Sequence, residues 1–585
     1  MGRSVAEIES RLTAPAGPFE VVTEEVAGRP QKNFRHRERS LREKIANAAR
    51  RGDATCMVQG ERRISYAELG RRTWGAAAAL RDGFGFGRGD RLAVLSYNCP
   101  EWLLTLFGAT SLGGIGVGLN GWWAADELDY ALRDSGAKAL VVDERLWPRV
   151  APVAREAPDL EHVFYIGNHP PPGTVPVGEL LEPRDEIPTE PIAEDDPWVI
   201  LYTSGTTGRS KGCITTHRGT VAQVLGILFA RTAAALADGG EAGPGGPAGG
   251  APAARRGQTA SLLSSPLFHV GGLHSNVCAL LTAGARMVFL EGRFDAEEVL
   301  RLIEREGVQS WGAIPTMLHR VVHHPRARDY DLSSLTNVSF GGAPTPPETL
   351  EQARRILPVE PTFSNAYGLT ETHGVATVCA GRALLERRTA AGRPIPVLDL
   401  EVRDAAGRAL GPGALGEVCF RGATVTPGYW GRAEATAETV RDGWLHTGDL
   451  GILDEDGFLY LVDRAKDMIL RGGENVYCVE IENCLADHPE IDEAAVVGVP
   501  DPEMGERVKA VVRRVPGSRL GGDAVRSHVA AHLASFKVPE VVELVEEPLP
   551  RNPAGKLLKH ELRGARSRFA AEPGGNRARS PEPRP

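Results

Sequence analysis

Short apolar, β-prone runs alternate with stretches of helical periodicity through most of the chain. Strands are expected at 90–95, 139–142, 198–202, 286–290 and 336–340, and helices at 39–50, 63–79, 102–112, 130–135 and 296–306. Strand and helix in turn argue for βαβ units and a largely parallel sheet. Past residue 400 the texture changes to short strands and turns, such as 416–422, which predicts a small β-rich subdomain. A boundary falls near 463–467, followed by an α+β stretch with its own apolar strand at 494–499. The polar, mixed residues 1–39 read as an arm, and 168–196, rich in Pro and Glu, as a connecting loop. The Ala/Gly/Pro tract 232–257 has too little apolar surface to order itself and is expected to be a flexible surface insertion. Residues 564–585 have the same character and read as a disordered tail. The predicted class is α/β: a large N-terminal domain of layered sheets and helices over 40–463 with a small β-rich subdomain, plus a small α+β C-terminal domain over 464–563.

Candidate chemistry begins where the apolar run Trp198-Val199-Ile200-Leu201-Tyr202 delivers the loop Thr203-Ser204-Gly205-Thr206-Thr207-Gly208-Arg209-Ser210-Lys211-Gly212. Its glycines let backbone N–H groups approach an anion, its hydroxyls add partners, and Lys211 supplies a point charge, a combination suited to phosphate. The spacing is not that of a Walker loop, because Arg209 and Ser210 separate Gly208 from the lysine. Phe340-Gly341-Gly342-Ala343 ends a strand with small residues, as a close-packed ligand site or an ordinary turn would. In Asn365-Ala366-Tyr367-Gly368-Leu369-Thr370-Glu371 an aromatic ring able to stack on a base precedes a hydroxyl and a carboxylate suited to phosphate and Mg²⁺. Trp444-Leu445-His446-Thr447-Gly448-Asp449 reads as a turn whose carboxylate can accept from both hydroxyls of a ribose, or simply cap the turn.

With Asp463-Arg464-Ala465-Lys466-Asp467, Gly472-Gly473 and Asn552-Pro553-Ala554-Gly555-Lys556, these strings make the chain resemble the adenylate-forming superfamily over about residues 40–563. That superfamily includes acyl- and aryl-CoA synthetases, non-ribosomal peptide synthetase adenylation domains and firefly luciferase, and the resemblance is greatest to fatty acyl-CoA ligases. It implies ATP, Mg²⁺ and coenzyme A, an AMP-binding domain at 40–463 and a mobile lid domain at 464–563. By resemblance, Thr203, Ser204, Gly205, Thr206, Thr207, Gly208 and Lys211 hold phosphates, Gly342, Ala343, Asn365 and Gly368 border the nucleotide, and Tyr367 packs on adenine. Thr370 then meets the α-phosphate, Glu371 holds Mg²⁺, Asp449 and Arg464 take the ribose, and Lys556 drives the first half-reaction; Lys556, Thr203, Lys211 and Glu371 form the catalytic set. Lys466 becomes the hinge and Gly472 and Gly473 line the pantetheine tunnel. His269, Trp311 and Gly341 border the acyl pocket, although core packing is the plainer reading of Trp311 and a structural role that of His269. Cys478 stands where related sequences carry proline.

Composition narrows the alternatives. The net charge of −9 is spread, with no basic stripe for nucleic acid. The eight cysteines include no C-x-x-C pair and no His-rich partner cluster, which argues against zinc or disulfide scaffolds and for a reducing cytosol. The charged first 45 residues lack the apolar core of a signal peptide, and no run is expected to reach the roughly 20 apolar residues of a spanning helix, so a soluble cytoplasmic protein without an integral membrane segment is predicted. Residues 268–275 lack the Asp with which amino-acid-activating relatives hold an α-amino group, favouring a fatty or alicyclic acid, with aryl acids open. The expected activity is an ATP-dependent acyl-CoA ligase; a ligase loading a separate carrier protein is the main alternative, beside a luciferase-like oxygenase and a non-catalytic nucleotide-binding module. Ala524 in Leu520-Gly521-Gly522-Asp523-Ala524 replaces the serine of a carrier attachment site, so no carrier is built in. Oligomeric state stays open, a homodimer included.

Overall fold

Ser65 starts the helix Tyr66–Phe84 through a capping box: its Oγ accepts from the Glu68 N–H at 3.1 Å, and the Glu68 carboxylate accepts from the Ser65 N–H at 2.9 Å. Gly85 ends the helix with a left-handed φ of 57°. The residues just before it, expected to be helical, instead pair as the strand Arg62–Ser65 against Thr55–Gln59. The helix Ala296–Glu306 starts at Asp295, whose side chain accepts from the Glu298 N–H, and ends at the left-handed Gly307. In this computed structural model the described residues are 5–26, 28–203, 210–239, 258–341, 353–357, 362–464, 467–471, 474–501, 504–551 and 557–563, with backbone only at Pro315, Thr316, Arg464, Glu474 and Asn475.

The described residues divide into two compact units, one up to Arg464 and one from Asp467. The first unit contains a seven-stranded sheet in the order Lys211–Thr216, Pro197–Thr203, Ile115–Gly118, Arg91–Leu95, Ala139–Asp143, His162–Ile166, Val175–Pro176. All neighbours are parallel except the first two. Trp198, Val199, Ile200 and Leu201 are buried along one strand, the continuous burial expected of a sheet covered on both faces. A nine-stranded sheet has a parallel centre containing Ala260–Leu263, Ser310–Ala313, Asn337–Gly341 and Thr362–Leu369, with antiparallel Gly374–Ala380 beyond it. A third, antiparallel sheet, built from Leu398–Arg403, Gly416–Gly422, Val440–Arg441, Trp444–Leu453 and Leu459–Arg464, is the β-rich part foreseen past residue 400.

Several local expectations are overturned. The presumed arm is folded: the helix Val5–Thr13 and the hairpin Val21–Val26 with Arg29–Phe34 place Ile8, Leu12, Phe19 and Phe34 in the core, where the Phe19 ring meets Phe229 at 5.7 Å. These few apolar anchors are diluted among charges, so the segment's composition reads as solvent-exposed. Arg37 completes the docking, its buried guanidinium donating to Glu24 at 2.6 Å and Glu194 at 2.9 Å. The helix His217–Ala237 takes in the first residues of the expected 232–257 insertion; residues 240–257 and the tail 564–585 lie outside the described residues. That helix is also long and apolar enough to cross a membrane, contrary to expectation, yet its Val221, Val224, Leu225 and Leu228 are packed into the core. The presumed turn at 444–449 is part of the long strand Trp444–Leu453, with Gly448 at φ 70°.

The second unit has one five-stranded sheet, with Gly505–Arg514 between antiparallel Ile491–Asp501 and parallel Val541–Val545. The helices Cys478–Ala486 and Gly522–His532 contribute Cys478, Ile481, Leu485, Val525 and Val529 to its core. Cys478 is fully buried and its thiol lies 3.0 Å from the Asp467 carbonyl, a small packed side chain as the sequence suggests.

Candidate active site

The phosphate-loop candidate hangs between two antiparallel strands. Thr203 pairs with Lys211 in the register, and its Oγ1 donates to the Lys211 carbonyl at 3.4 Å. Ser204, Gly205, Thr206, Thr207 and Gly208 lie outside the described residues, but both roots of the loop are anchored. The Tyr202 hydroxyl donates to Asp134 at 2.9 Å, the Tyr130 hydroxyl donates to the Ser210 carbonyl at 3.0 Å, and Arg432 forms an ion pair with Asp134.

The string around Tyr367 folds as the strand Thr362–Leu369 followed by the short 3₁₀ turn Thr370–Thr372. Gly368 is required here: a Cβ on it would stand 1.8 Å from the Gly374 carbonyl oxygen of the adjoining strand. The Tyr367 hydroxyl donates to Asp449 Oδ2 at 2.6 Å, and its ring lies 6.1 Å from that of Phe420. Sequence reasoning selected both residues separately; the fold joins them across 82 positions. Asp449 is buried, and its approach is shaped by Glu417, which accepts from the Gly448 N–H at 3.0 Å and bonds His446 at 2.8 Å. Arg464 faces Asp449 in the strand register, with only its backbone described.

Glu371 accepts from the Tyr429 hydroxyl at 2.7 Å, and the Lys211 ammonium sits over the Tyr429 ring, 5.1 Å from its centre. Burial first, then the Glu371 charge, pushes the Tyr429 phenol up, so it stays protonated and acts as a donor. Tyr429 was missed in the sequence; the only sign was its place in Pro427-Gly428-Tyr429-Trp430. The Trp430 N–H donates to the Gly212 carbonyl at 2.8 Å and the Ile214 N–H to the Gly428 carbonyl at 3.0 Å, pinning this segment to the loop's second strand.

His373, also missed, holds the Thr370–Thr372 turn in place. Its Nε2 accepts from the Thr216 N–H at 2.8 Å, so Nδ1 carries the proton and donates to the Thr424 carbonyl at 2.7 Å. It does so with φ at 57°, and Gly219 leaves room for the ring. His373, His274 and His217 are all fully buried. Burial lowers His373 to about 4 and His217 to about 3, and places His274 well below the usual imidazole range. Each therefore folds neutral and takes up a proton on unfolding once pH falls below the free value of about 6.5. Their stability contribution is complete above that value and is lost as pH falls towards 4 and below. Thermal unfolding measured from pH 7.5 to 4.5 should show the midpoint falling below pH 6.5, with a slope of about 1.4 kcal/mol per pH unit for each imidazole. A flat profile contradicts the neutral assignment.

On the acyl side, His269 follows the strand Ala260–Leu263, with Phe268 4.7 Å away ring to ring. Burial lowers the His269 imidazole to about 4. Phe268 also lines a small apolar cavity of about 60 Å³, bordered by Tyr97, Trp122, Leu290, Phe294 and Met317 with Ser264 at its edge. Trp311 is a core residue, fully buried, and its indole N–H donates to Ser264 Oγ at 2.8 Å, so it backs the cavity from behind that serine. Gly341 ends its strand without crowding: a Cβ on it would stand an ordinary 3.5 Å from the Ala366 carbonyl oxygen. Asn365 donates to the Ala390 carbonyl at 3.0 Å, and Thr370 starts the 3₁₀ turn. Gly342, Ala343, Lys466, Gly472, Gly473 and Lys556 lie outside the described residues.

Residues 45–430 match the family described as AMP-binding enzyme, and residues 480–556 match the AMP-binding enzyme C-terminal domain. A feruloyl-CoA synthase of an Amycolatopsis species is 38% identical over 87% of this chain and 95% of its own length. A fatty acid–[acyl-carrier-protein] ligase of Streptomyces coeruleorubidus is 35% identical over 86% of this chain and 91% of its own. The solved anthranilate CoA ligase with anthranoyl-AMP superposes with a TM-score of 0.78 at 25% identity, covering 89% of this chain and 96% of that one.

Proposed function

Because the chain belongs to the AMP-binding enzyme family and is an AMP-forming acid–thiol ligase, we propose that it activates an apolar carboxylic acid and passes the acyl group to coenzyme A. In the first step a carboxylate oxygen bonds to the α-phosphorus of ATP and the bond to pyrophosphate breaks. In the second, the thiol sulfur of coenzyme A bonds to the acyl carbon, AMP leaves and the thiol proton passes to solvent. The observation that carries this reading is the paired arrangement of Tyr367 with Asp449 and of Glu371 with Tyr429 and Lys211.

Tyr367 offers a ring to adenine, and Asp449, a carboxylate able to accept from both hydroxyls of a ribose, is assigned to the sugar. Glu371 fits a hard cation: it is a carboxylate with one oxygen engaged by a neutral phenol, over whose ring the Lys211 ammonium sits. Bound there, Mg²⁺ would neutralise phosphate charge. Lys211 and the loop hydroxyls are assigned to the phosphates, and Lys556 to aligning carboxylate and α-phosphate. Lys466 is assigned as the hinge, Gly472 and Gly473 to the path of the pantetheine, and His269 to the mouth of the acyl pocket.

A fatty or alicyclic acid is the first choice of substrate, since 268–275 carries no carboxylate for an amino group and Phe268 faces an apolar cavity. An aryl acid is the second reading, favoured by the feruloyl and anthranilate relatives; carrier loading is favoured by the Streptomyces coeruleorubidus relative. The test is AMP release from fatty, alicyclic, cinnamic and amino acids, with and without free coenzyme A. Acid-dependent AMP release that accelerates with coenzyme A and yields thioester is expected. Adenylate that accumulates without thioester until a carrier protein is added would defeat the coenzyme A assignment.

A further inference from the structure

The second unit contains a side-chain cluster that the nucleotide and acyl groups leave unused. Cys484 lies on the helix Cys478–Ala486, and His528 and His532 lie on the helix Gly522–His532 packed against it. The two histidines are four residues apart, so they project from one helical face, and their rings stand 4.6 Å apart. Cys484 Sγ and one ring nitrogen from each histidine all fall within 4.8 Å of one another. Ligands at the usual Zn–N and Zn–S lengths stand roughly 3.3–3.7 Å apart on a tetrahedron, so side-chain shifts of about 1 Å close the set.

Hydrogen bonding independently orients both imidazoles. His528 Nε2 lies 2.8 Å from the Cys484 carbonyl oxygen, and His532 Nδ1 lies 2.8 Å from the His528 carbonyl oxygen. A carbonyl can only accept, so those two nitrogens carry the protons. His528 Nδ1 and His532 Nε2 therefore keep their lone pairs, the form in which an imidazole can ligate a metal while its other nitrogen donates to a carbonyl. His488 stands edge-on to His528 at 4.9 Å, but its Nδ1 accepts from the Glu490 N–H at 3.2 Å. His532 is exposed, so solvent water can reach the group and supply a fourth ligand.

We propose that Cys484, His528 and His532 form a binding site for a divalent transition-metal ion, Zn²⁺ foremost, that staples these two helices together. One thiolate and two imidazoles are a borderline-soft donor set, suited to Zn²⁺ or Co²⁺ and unsuited to Mg²⁺. Binding breaks the Cys484 S–H bond, forms the sulfur–metal bond and releases one proton to solvent. This site is separate from the nucleotide groups and does not rest on the acid that the protein activates. Cysteine spacing does not reach such a group, because its side chains come from two helices far apart in the sequence rather than from a C-x-x-C pair.

The test is a Co²⁺ titration of the tag-free full-length protein, following the visible bands of tetrahedral cobalt and the near-ultraviolet thiolate charge-transfer band. One equivalent is expected to bind. Cys484→Ser should remove the charge-transfer band, and the His528→Ala/His532→Ala double variant should lose at least about tenfold in affinity. Cys419→Ser should change neither, which separates the signal from the Glu417, Cys419 and His446 group in the other unit. Zn²⁺ should raise the unfolding midpoint of the wild type and not of the double variant. If Cys484→Ser does not fold, the exposed single substitution His532→Ala carries the test through its loss of affinity. No saturable Co²⁺ uptake by the wild type, or uptake unchanged in the folded variants, overturns the proposal.

Discussion

Lys556→Ala is expected to slow ATP-dependent adenylate formation by about two to three orders of magnitude, while conversion of supplied acyl-adenylate to thioester stays within about fivefold of wild type. The reason is charge. In the first step a carboxylate approaches a phosphate, and two anions must be brought to bonding distance, so a cation placed between them lowers the barrier specifically for that step. In the second step the nucleophile is a thiol and the electrophile an acyl carbon, and the same cation has no anionic pair to bridge. Pyrophosphate release and thioester formation from synthetic adenylate, measured on one folded preparation, separate the two. Equal losses in both half-reactions would remove Lys556 from its assigned role and with it the division of labour between the steps.

Glu371→Gln should have the next largest effect, a loss of roughly a hundredfold in adenylation at saturating ATP. The substitution keeps the shape of the side chain and leaves an amide oxygen to accept from the Tyr429 hydroxyl, so the local fold is retained while the negative charge disappears. A hard dication prefers a carboxylate, and the deficit should therefore shrink as Mg²⁺ is raised. Tyr429→Phe, which removes one donor to Glu371 but leaves the ring under Lys211, should cost no more than about tenfold. Adenylation by the Gln variant within a factor of about three of wild type, across the Mg²⁺ range, would mean that Glu371 does not serve the metal.

Much of the layered fold could be read from the chain because its signals are local. The helix Ala296–Glu306 is expected with the bounds it has, since Asp295 and Gly307 mark the ends and the apolar positions between them share one face. The buried strand Pro197–Thr203 and the strand Gly416–Gly422 inside the β-rich part are equally plain. Local reading failed where few anchors do the packing, as in the helix Val5–Thr13, and where a glycine mimics a turn inside a strand, as at Gly448.

Order along the chain by itself determined the family resemblance and singled out Tyr367, Glu371 and Asp449 as candidates, because each sits in a short string whose residue types suit the chemistry. Only the tertiary structure decided that Tyr367 bonds Asp449, that Tyr429 bonds Glu371 with Lys211 over its ring, that His373 pins the turn carrying Thr370, and that Cys484 meets His528 and His532. The physical reason is common to all four: hydrogen bonds and ligand sets reach only a few ångströms, and which distant residues fall within that reach is set by the packing of sheets and helices rather than by periodicity along the chain.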